Sequence, residues 1–401
     1  MRLIGRPGVS NDPVVVVLSM SEYQYLEWQA VDRILTTDEQ SAVNELSSHI
    51  DVSSSRAVVT YHWSGFRHNP KQVLLKYFDA HFYLANWGTL RLMFRFPKGL
   101  LDEADIELYC VDEHISFETI GQYQVLDLDF NPEDGGDWVD ESASLSDFIH
   151  LRADLIEGDY RLLYLAWLNA MTFNGLPGED EYEDDDPDSP AFDREPPVPP
   201  GLKKLSPALQ SFIRVFGIDP FLVEAAAEAS PDPKNALALD YHELVVRLPR
   251  AECDDFLARL AQGDPGVGLA LRKRLASFLP QPERPQVAQP RTIQQLVQRA
   301  EQLKKDEEKR KVEATRQKHI AEMKALAARE AQTWKKVEDL LDNGRKIASV
   351  YDEATTLLEK LHQLAEFQET QDIFLQRLRR LAEKYASRSS LTGRWRAHDW
   401  L

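Results

Sequence analysis

Two proline-rich interruptions decide how this chain can be built. Residues 179–188 hold eight acids: Glu179, Asp180, Glu181, Glu183, Asp184, Asp185, Asp186 and Asp188. Pro196-Pro197-Val198-Pro199-Pro200-Gly201 follows them. Like-charge repulsion extends the first piece and polyproline geometry stiffens the second, so a domain boundary falls here. A second break runs from Pro280 to Pro290. These breaks give an expected order of parts. Residues 1–19 form a disordered leader or reflect a mis-assigned start. An α+β domain at 20–176 and an acidic, Pro-rich linker at 177–201 come next. A helical domain at 202–280, a Pro-rich hinge at 281–290, a long charged helix at 291–343 and a helical hairpin at 344–401 complete the chain.

The first domain mixes two periodicities. Tyr23 to Val31 alternates as a strand, and Ala57 to Trp63 reads as a second. Thr36 or Thr37 before Asp38-Glu39-Gln40 is a helix N-cap, with Val43, Leu46 and Ile50 at helical spacing. Pro70 opens another helix. Its face runs through Val73, Leu74, Tyr77, Phe78, His81, Phe82 and Leu84 to an end at Gly88. Leu90 to Phe96 is a strand stopped by Pro97. Ile115–Ile120 and Tyr123–Phe130 form a hairpin around Gly121-Gln122. Leu145 to Met171 closes the domain with two helices broken near Gly158. The simplest arrangement is a mixed sheet covered by helices, a ferredoxin-like sandwich.

Helical patterns fill the rest. In the middle block they run over Pro207–Phe216, Pro220–Ala229, Tyr241–Arg247, Ala251–Ala261 and Val267–Phe278. From Ile293 to about Leu341 one long pattern carries opposite charges at i,i+4, among them Glu301–Lys305, Asp306–Arg310 and Glu307–Lys311. Apolar residues are sparse between Leu303 and Ile320. That favours a solvated single helix over a sustained coiled coil. After Gly344, the stripe Tyr351, Ala354, Leu358, Leu361 faces the stripe Phe374, Leu378, Leu381, Tyr385, as in an antiparallel hairpin.

Charge divides the chain. The formal net charge is −19. Residues 291–401 carry 23 Lys+Arg against 18 Asp+Glu, or +5, which leaves −24 for residues 1–290. The acidic body repels polyanions, so only the C-terminal arm is suited to approach nucleic acid. No run of about 18 apolar residues marks a membrane span. Pro13–Leu18 is too short for a signal peptide. Cys110 and Cys253 are the only cysteines. That pair excludes a disulfide scaffold or a four-cysteine zinc site and fits a cytoplasmic setting.

Candidate chemistry is sparse. His62, His68 and His81 form the one histidine cluster, without a recognised ligand spacing, and are read as ordinary polar or half-buried histidines. Asp127 and Asp129 share a strand face, and Asp134, Asp137, Asp140 and Glu141 follow. Such carboxylates suit acid/base work or a divalent cation, but the stretch lacks an EF-hand ladder and reads as a solvated acidic loop. The basic triplet Lys309-Arg310-Lys311 is largely cancelled by Asp306, Glu307, Glu308 and Glu313. No phosphate-binding loop, Gly-x-Ser-x-Gly elbow or His-Glu-x-x-His helix occurs, so no catalytic, cofactor-binding or metal residue is assigned.

Two stretches resemble known families. Met20–Tyr25, Ala30-Val31-Asp32-Arg33, Tyr77-Phe78-Asp79-Ala80 and Ala85-Asn86-Trp87-Gly88-Thr89 resemble an uncharacterised family of bacterial hypothetical proteins. The likeness covers most of the chain from Met20. Tyr351-Asp352-Glu353-Ala354 through Leu364-Ala365, with Phe374, Leu378, Leu381 and Ser390-Leu391, is similar to the C-terminal tail of bacterial SWIM zinc-finger proteins, over about 50 residues and without the zinc cysteines. The resemblance implies a helical interaction tail and no activity. The reading reached is a non-enzymatic interaction or adaptor protein that engages a protein partner through its C-terminal arm. The alternatives are a nucleic-acid accessory factor acting with a SWIM-type or Snf2-type protein, and a hydrolase or metal-dependent enzyme built on Asp127 and Asp129.

Overall fold

The computed structural model describes residues 22–132, 142–173, 194–232, 241–264, 267–278, 290–343 and 348–401. The expected leader, the run 179–188, the hinge up to Gln289, the Gly344 break and Asp134, Asp137, Asp140 and Glu141 lie outside the described residues. The chain divides into two compact units, Met1–Leu303 and Lys304–Leu401.

In the first unit the elements run β1 Gln24–Gln29, α1 Thr37–Asn44, β2 Asp51–Val52, β3 Arg56–Tyr61, α2 Pro70–Tyr77, β4 Ala80–Ala85, β5 Leu90–Pro97 and α3 Glu103–Ile106. Strands β6 Ile115–Ile120 and β7 Tyr123–Phe130 and helices α4 Ile149–Ile156 and α5 Arg161–Phe173 follow. The strands form one sheet in the order β2-β3-β1-β4-β5-β7-β6. The α+β class is as expected. The sheet is not mixed, however: every pairing is antiparallel.

Two of the seven strands, β2 and β4, were not legible in the sequence. The reason for β4 is physical. It lies between β1 and β5, and its residues are buried on both faces except for a half-buried Tyr83. A strand covered on both sides reads as a continuous apolar run, which periodicity cannot separate from a buried helix. The helix that Pro70 opens ends at Tyr77, because Phe78 is extended at φ −126° and ψ 171°. Gly88, expected as a helix stop, instead takes φ 104° in the turn between β4 and β5.

Local signals elsewhere behave as chemistry dictates. Thr36 and Glu39 form a reciprocal capping box at the start of α1. Asn69 caps α2, with Pro70 in its first turn. In the β6–β7 turn Gly121 takes φ 60° while Gln122 does not go positive, the pattern of a II′ hairpin. No heavy atom lies within 4 Å of a Cβ built on Gly121. Gly121→Ala therefore meets backbone strain alone. We expect a loss of about 1–2 kcal/mol, read as a lower urea midpoint with an unchanged slope. A loss below a few tenths would mean that the turn relaxes freely.

The sheet separates two apolar layers. Trp28, Val59, Met93 and Val125 pack with α1 and α2 on one face. Phe82, Phe94, Leu126 and Phe130 face the other, against α4 and α5. Helices α6 Pro207–Val215 and α7 Pro220–Ala229 join this second layer: Phe212 and Phe216 meet Phe148 edge-on. The run Pro196–Gly201, expected as a spacer, is part of this core. Val198 is buried, Tyr109 Oη donates to the Pro197 carbonyl at 2.8 Å, and Ser230 Oγ donates to that of Pro199 at 2.8 Å. Prolines lack N–H donors, so a Pro-rich strap can be buried once its carbonyls are satisfied. Helices α8 Tyr241–Val246, α9 Arg250–Ala261 and α10 Val267–Ala276 close a small cluster around Leu244, Leu248 and Leu275.

Helix α11, Ile293–Ala327, begins in the first unit, where Ile293, Leu296 and Ala300 are buried. The unit division falls inside it. Residues 308–319 are all exposed, as a solvated helix requires. Glu307 pairs there with Arg310 at 3.1 Å and Lys311 at 3.7 Å. The second unit then builds α12 Glu330–Asn343, α13 Ala348–Phe367, α14 Gln371–Lys384 and α15 Ser389–Ala397 around Trp334, Leu358, Leu378, Leu391 and Trp395. The expected hairpin, α13 with α14, is there. It is enlarged to a bundle by α12, anticipated as part of the long helix, and by α15.

Candidate functional site

The carboxylates singled out in the sequence sit where β5, β7 and α2 meet. Side chains alternate along a strand, so Arg91, Met93 and Arg95 of β5 point to the α2 face, as do Val125, Asp127 and Asp129 of β7. The register sets Arg91 opposite Asp129 and Met93 opposite Asp127. Arg91 grips Asp127 with two bonds of 2.8 and 2.7 Å and reaches Asp129 at 3.3 Å. Lys71, from the first turn of α2, lies 3.1 Å from Asp127 and also pairs with Glu118 of β6.

This geometry splits the two aspartates. Burial alone would raise the Asp127 carboxyl, but Arg91 and then Lys71 outweigh it and hold it below the ordinary range. Asp129 goes the other way: burial raises it, Arg91 offsets this only partly, and the Asp127 charge adds to the rise. Asp127, only 4% exposed, has its charge and lone pairs engaged by two cations. It acts as the centre of a ladder that ties β7 to β5 and α2.

The histidines do not converge. His62 lies against the Tyr23 ring at 5.7 Å and His68 against Phe66 at 5.5 Å, both exposed. His81 is fully buried in β4 and stacks on Trp28 at 4.6 Å. Among the described residues no group of three or more His, Cys, Asp or Glu side chains is placed to hold a metal ion. The triplet Lys309-Arg310-Lys311 is on the solvated part of α11, partly neutralised by Asp306 and Glu307.

His81 carries a pH consequence. Its Nδ1 lies 2.9 Å from the Glu27 carbonyl, and its Nε2 has no hydrogen-bond partner among the described residues. Burial first, and the Arg91 charge second, lower it from 6.5 to about 3; the Glu27 carbonyl and Asp127 oppose this only weakly. The unfolded chain therefore binds a proton between those values that the folded chain refuses. Stability is full above pH 6.5 and falls as the pH drops below it. From pH 7 to pH 4 we expect this group to cost about 3 kcal/mol. Urea midpoints at pH 7, 5.5 and 4 should fall in the wild type and fall much less in His81→Gln. Equal slopes in the two proteins would discard the assignment.

Sequence reasoning found the acidic half of the ladder and missed Arg91 and Lys71. A usable signal existed for Arg91. Arg91 and Arg95 stand four apart in Leu90–Phe96, on the same strand face as Met93. It also missed two buried carboxylates. Glu27 is fully buried and accepts from Arg56 at 2.5 Å, from the Leu145 N–H at 2.8 Å and from Tyr25 at 2.7 Å. Asp79 pairs with Arg95 at 2.6 Å beside the pair formed by Arg152 and Asp32 at 2.7 Å.

No family model, no curated protein and no solved structure matches the chain. No helix among the described residues is long and apolar enough to cross a membrane.

Proposed function

We propose that this is a cytoplasmic protein-interaction or adaptor protein that engages a protein partner through its C-terminal helical unit. One observation carries the reading. The second unit has its own core, yet the facing ends of α13 and α14 leave Phe367 and Ile373 exposed at 42% and 66%. Ile373 lines a small crevice of about 50 Å³ with Trp334, Leu364 and Phe374, and Phe367 lies edge-on to His319. Large apolar side chains left exposed beside a packed core suit burial against a partner. The engaged state of Asp127 adds support, since a structural ion pair needs no reaction to account for it.

The test is affinity purification of the full chain from its native host, beside Ile373→Asp and a chain ending at Leu303. We expect a reproducible partner that both changes lose. A partner indifferent to both, or none, would refute the proposal.

A second reading, a nucleic-acid accessory factor, rests on Arg379, Arg380 and Arg396, which are exposed on α14 and α15. Arg377, Lys384 and Arg394, by contrast, pair with acids on α12 and α13. A gel shift of DNA or RNA by the full chain that weakens steeply with salt and is lost in Arg379→Glu/Arg380→Glu would favour it. No shift at low salt would dismiss it.

A further inference from the structure

An open apolar groove runs between α6 and α7 in the first unit. It holds about 450 Å³, within the roughly 300–1,000 Å³ common for binding clefts. Leu202, Val223 and Ala227 form its floor, and half-buried Leu205 and Ile213 form a wall. Its rim is charged: Lys203 on one side, Glu224 and Glu228 on α7. Glu228 is occupied by Arg299, at 2.6 to 3.1 Å through two guanidinium nitrogens. Glu224, one turn earlier and exposed, has no hydrogen bond or ion pair among the described residues.

The protein already pairs α7 with arginines from the start of a helix. The start of α11 buries Ile293, Leu296 and Ala300, spaced i, i+3 and i+7. Just before it, Arg291 donates to the Ala225 carbonyl at 2.9 Å, and Arg299 within it takes Glu228. Arginines flanking a buried apolar stripe thus already bond to α7. The groove presents the same elements again, with an apolar floor and an unused carboxylate. Charge narrows the occupant. The second unit has 21 Lys+Arg against 17 Asp+Glu, or +4, which leaves −23 for the first. Two first units would repel each other, as would an anionic lipid surface or a nucleic acid. A basic segment is attracted.

We propose that the α6–α7 groove docks a short, basic, amphipathic helix of a protein partner, its apolar residues on Val223, Ala227 and Ile213 and a Lys or Arg on Glu224. This rests on the adaptor reading and supplies a second docking surface, separate from the C-terminal unit.

The test uses the full chain and two labelled 15-residue helical peptides. Both carry Leu at i, i+3, i+4 and i+7; one has Lys at the polar positions and the other Glu. By fluorescence anisotropy, the basic peptide is expected to bind at tens of micromolar or tighter, and the acidic one at least tenfold more weakly. Ile213→Asp should weaken the basic peptide at least tenfold. Glu224→Lys, a rim change that leaves the core intact, should weaken it about fivefold and strengthen the acidic peptide. Ile373→Asp should change nothing, so loss of the C-terminal partner and loss of groove binding are read separately. The proposal is overturned if neither peptide binds below 1 mM, or if the basic preference survives Glu224→Lys. It is also overturned if light scattering finds a dimer that Ile213→Asp converts to monomer, since the groove is then a self-interface.

Discussion

Asp79→Ala should destabilise the first unit by about 3–5 kcal/mol, the cost of leaving a buried charge without its partner. Asp79 is 2% exposed and Arg95 5%. One oxygen of Asp79 takes Arg95 at 2.6 Å; the other takes the N–H groups of Val31 at 2.7 Å and Asp32 at 3.0 Å. Arg95 also donates to the Leu75 carbonyl and lies over the Tyr123 ring, while its own carbonyl accepts from Arg152. The carboxylate thus fixes the exit of β1, the end of α2 and the middle of β5 together. Removing it strands a buried guanidinium and takes the acceptor from the Val31 and Asp32 amides. If unpaired charge is the main cost, Asp79→Leu combined with Arg95→Met should recover most of the loss. A single-mutant loss below about 1 kcal/mol would show that water reaches the cluster.

The pH dependence of this variant has a definite sign. Burial alone would raise the Asp79 carboxyl, but Arg95 and Arg152 overcome it and hold it below the ordinary 3.8. A depressed carboxyl contributes stability that is present above about pH 4 and is lost as the pH falls through the folded value. In Asp79→Ala that acid branch should flatten. The His81 branch, between pH 6.5 and 4, should remain. Two separate pH windows on one unit distinguish the two groups.

Trp395→Ala should unfold the C-terminal bundle selectively. Trp395 is fully buried on α15, within a core that also holds Trp334, Tyr351 and Leu391. Truncating a buried tryptophan costs about 3–5 kcal/mol. A bundle of this size has about 5–15 kcal/mol in total, so much of its margin goes. Calorimetry of the full chain should show one transition displaced downward by ten degrees or more and the other unmoved. Trp395→Phe should cost far less, because the indole Nε1 has no hydrogen-bond partner among the described residues. Two transitions that fall together would mean that the units unfold as one.

How much of this was legible beforehand depends on where each interaction lives. Caps, turns and amphipathic helices are local, and they were readable. Thr36 with Glu39, Asn69 with Pro70, the Gly121 turn and the stripes of α13 and α14 all follow from residues within a few positions of one another. The solvated character of α11 was readable too, since apolar residues are sparse where its exposure is continuous, Val312 being the one large one. Asp127 was found as an acid on a strand face, but its role depends on Arg91, 36 positions away, and on Lys71 in another element.

The sequence by itself determined the α+β class, the sign change in charge and the helical character of the second half. Only the tertiary structure decided that β4 is a central strand rather than the end of a helix, because burial on both faces erases periodicity. The strap at Pro196–Gly201 became core for a similar reason. Composition records that it cannot join a ladder, whereas Tyr109 and Ser230, 88 and 31 residues from their partners, supply the donors that let it be buried. Local chemistry fixes where elements start and stop. Long-range pairing, which no spacing rule encodes, fixes which surfaces they cover and which, like the α6–α7 groove, they leave open.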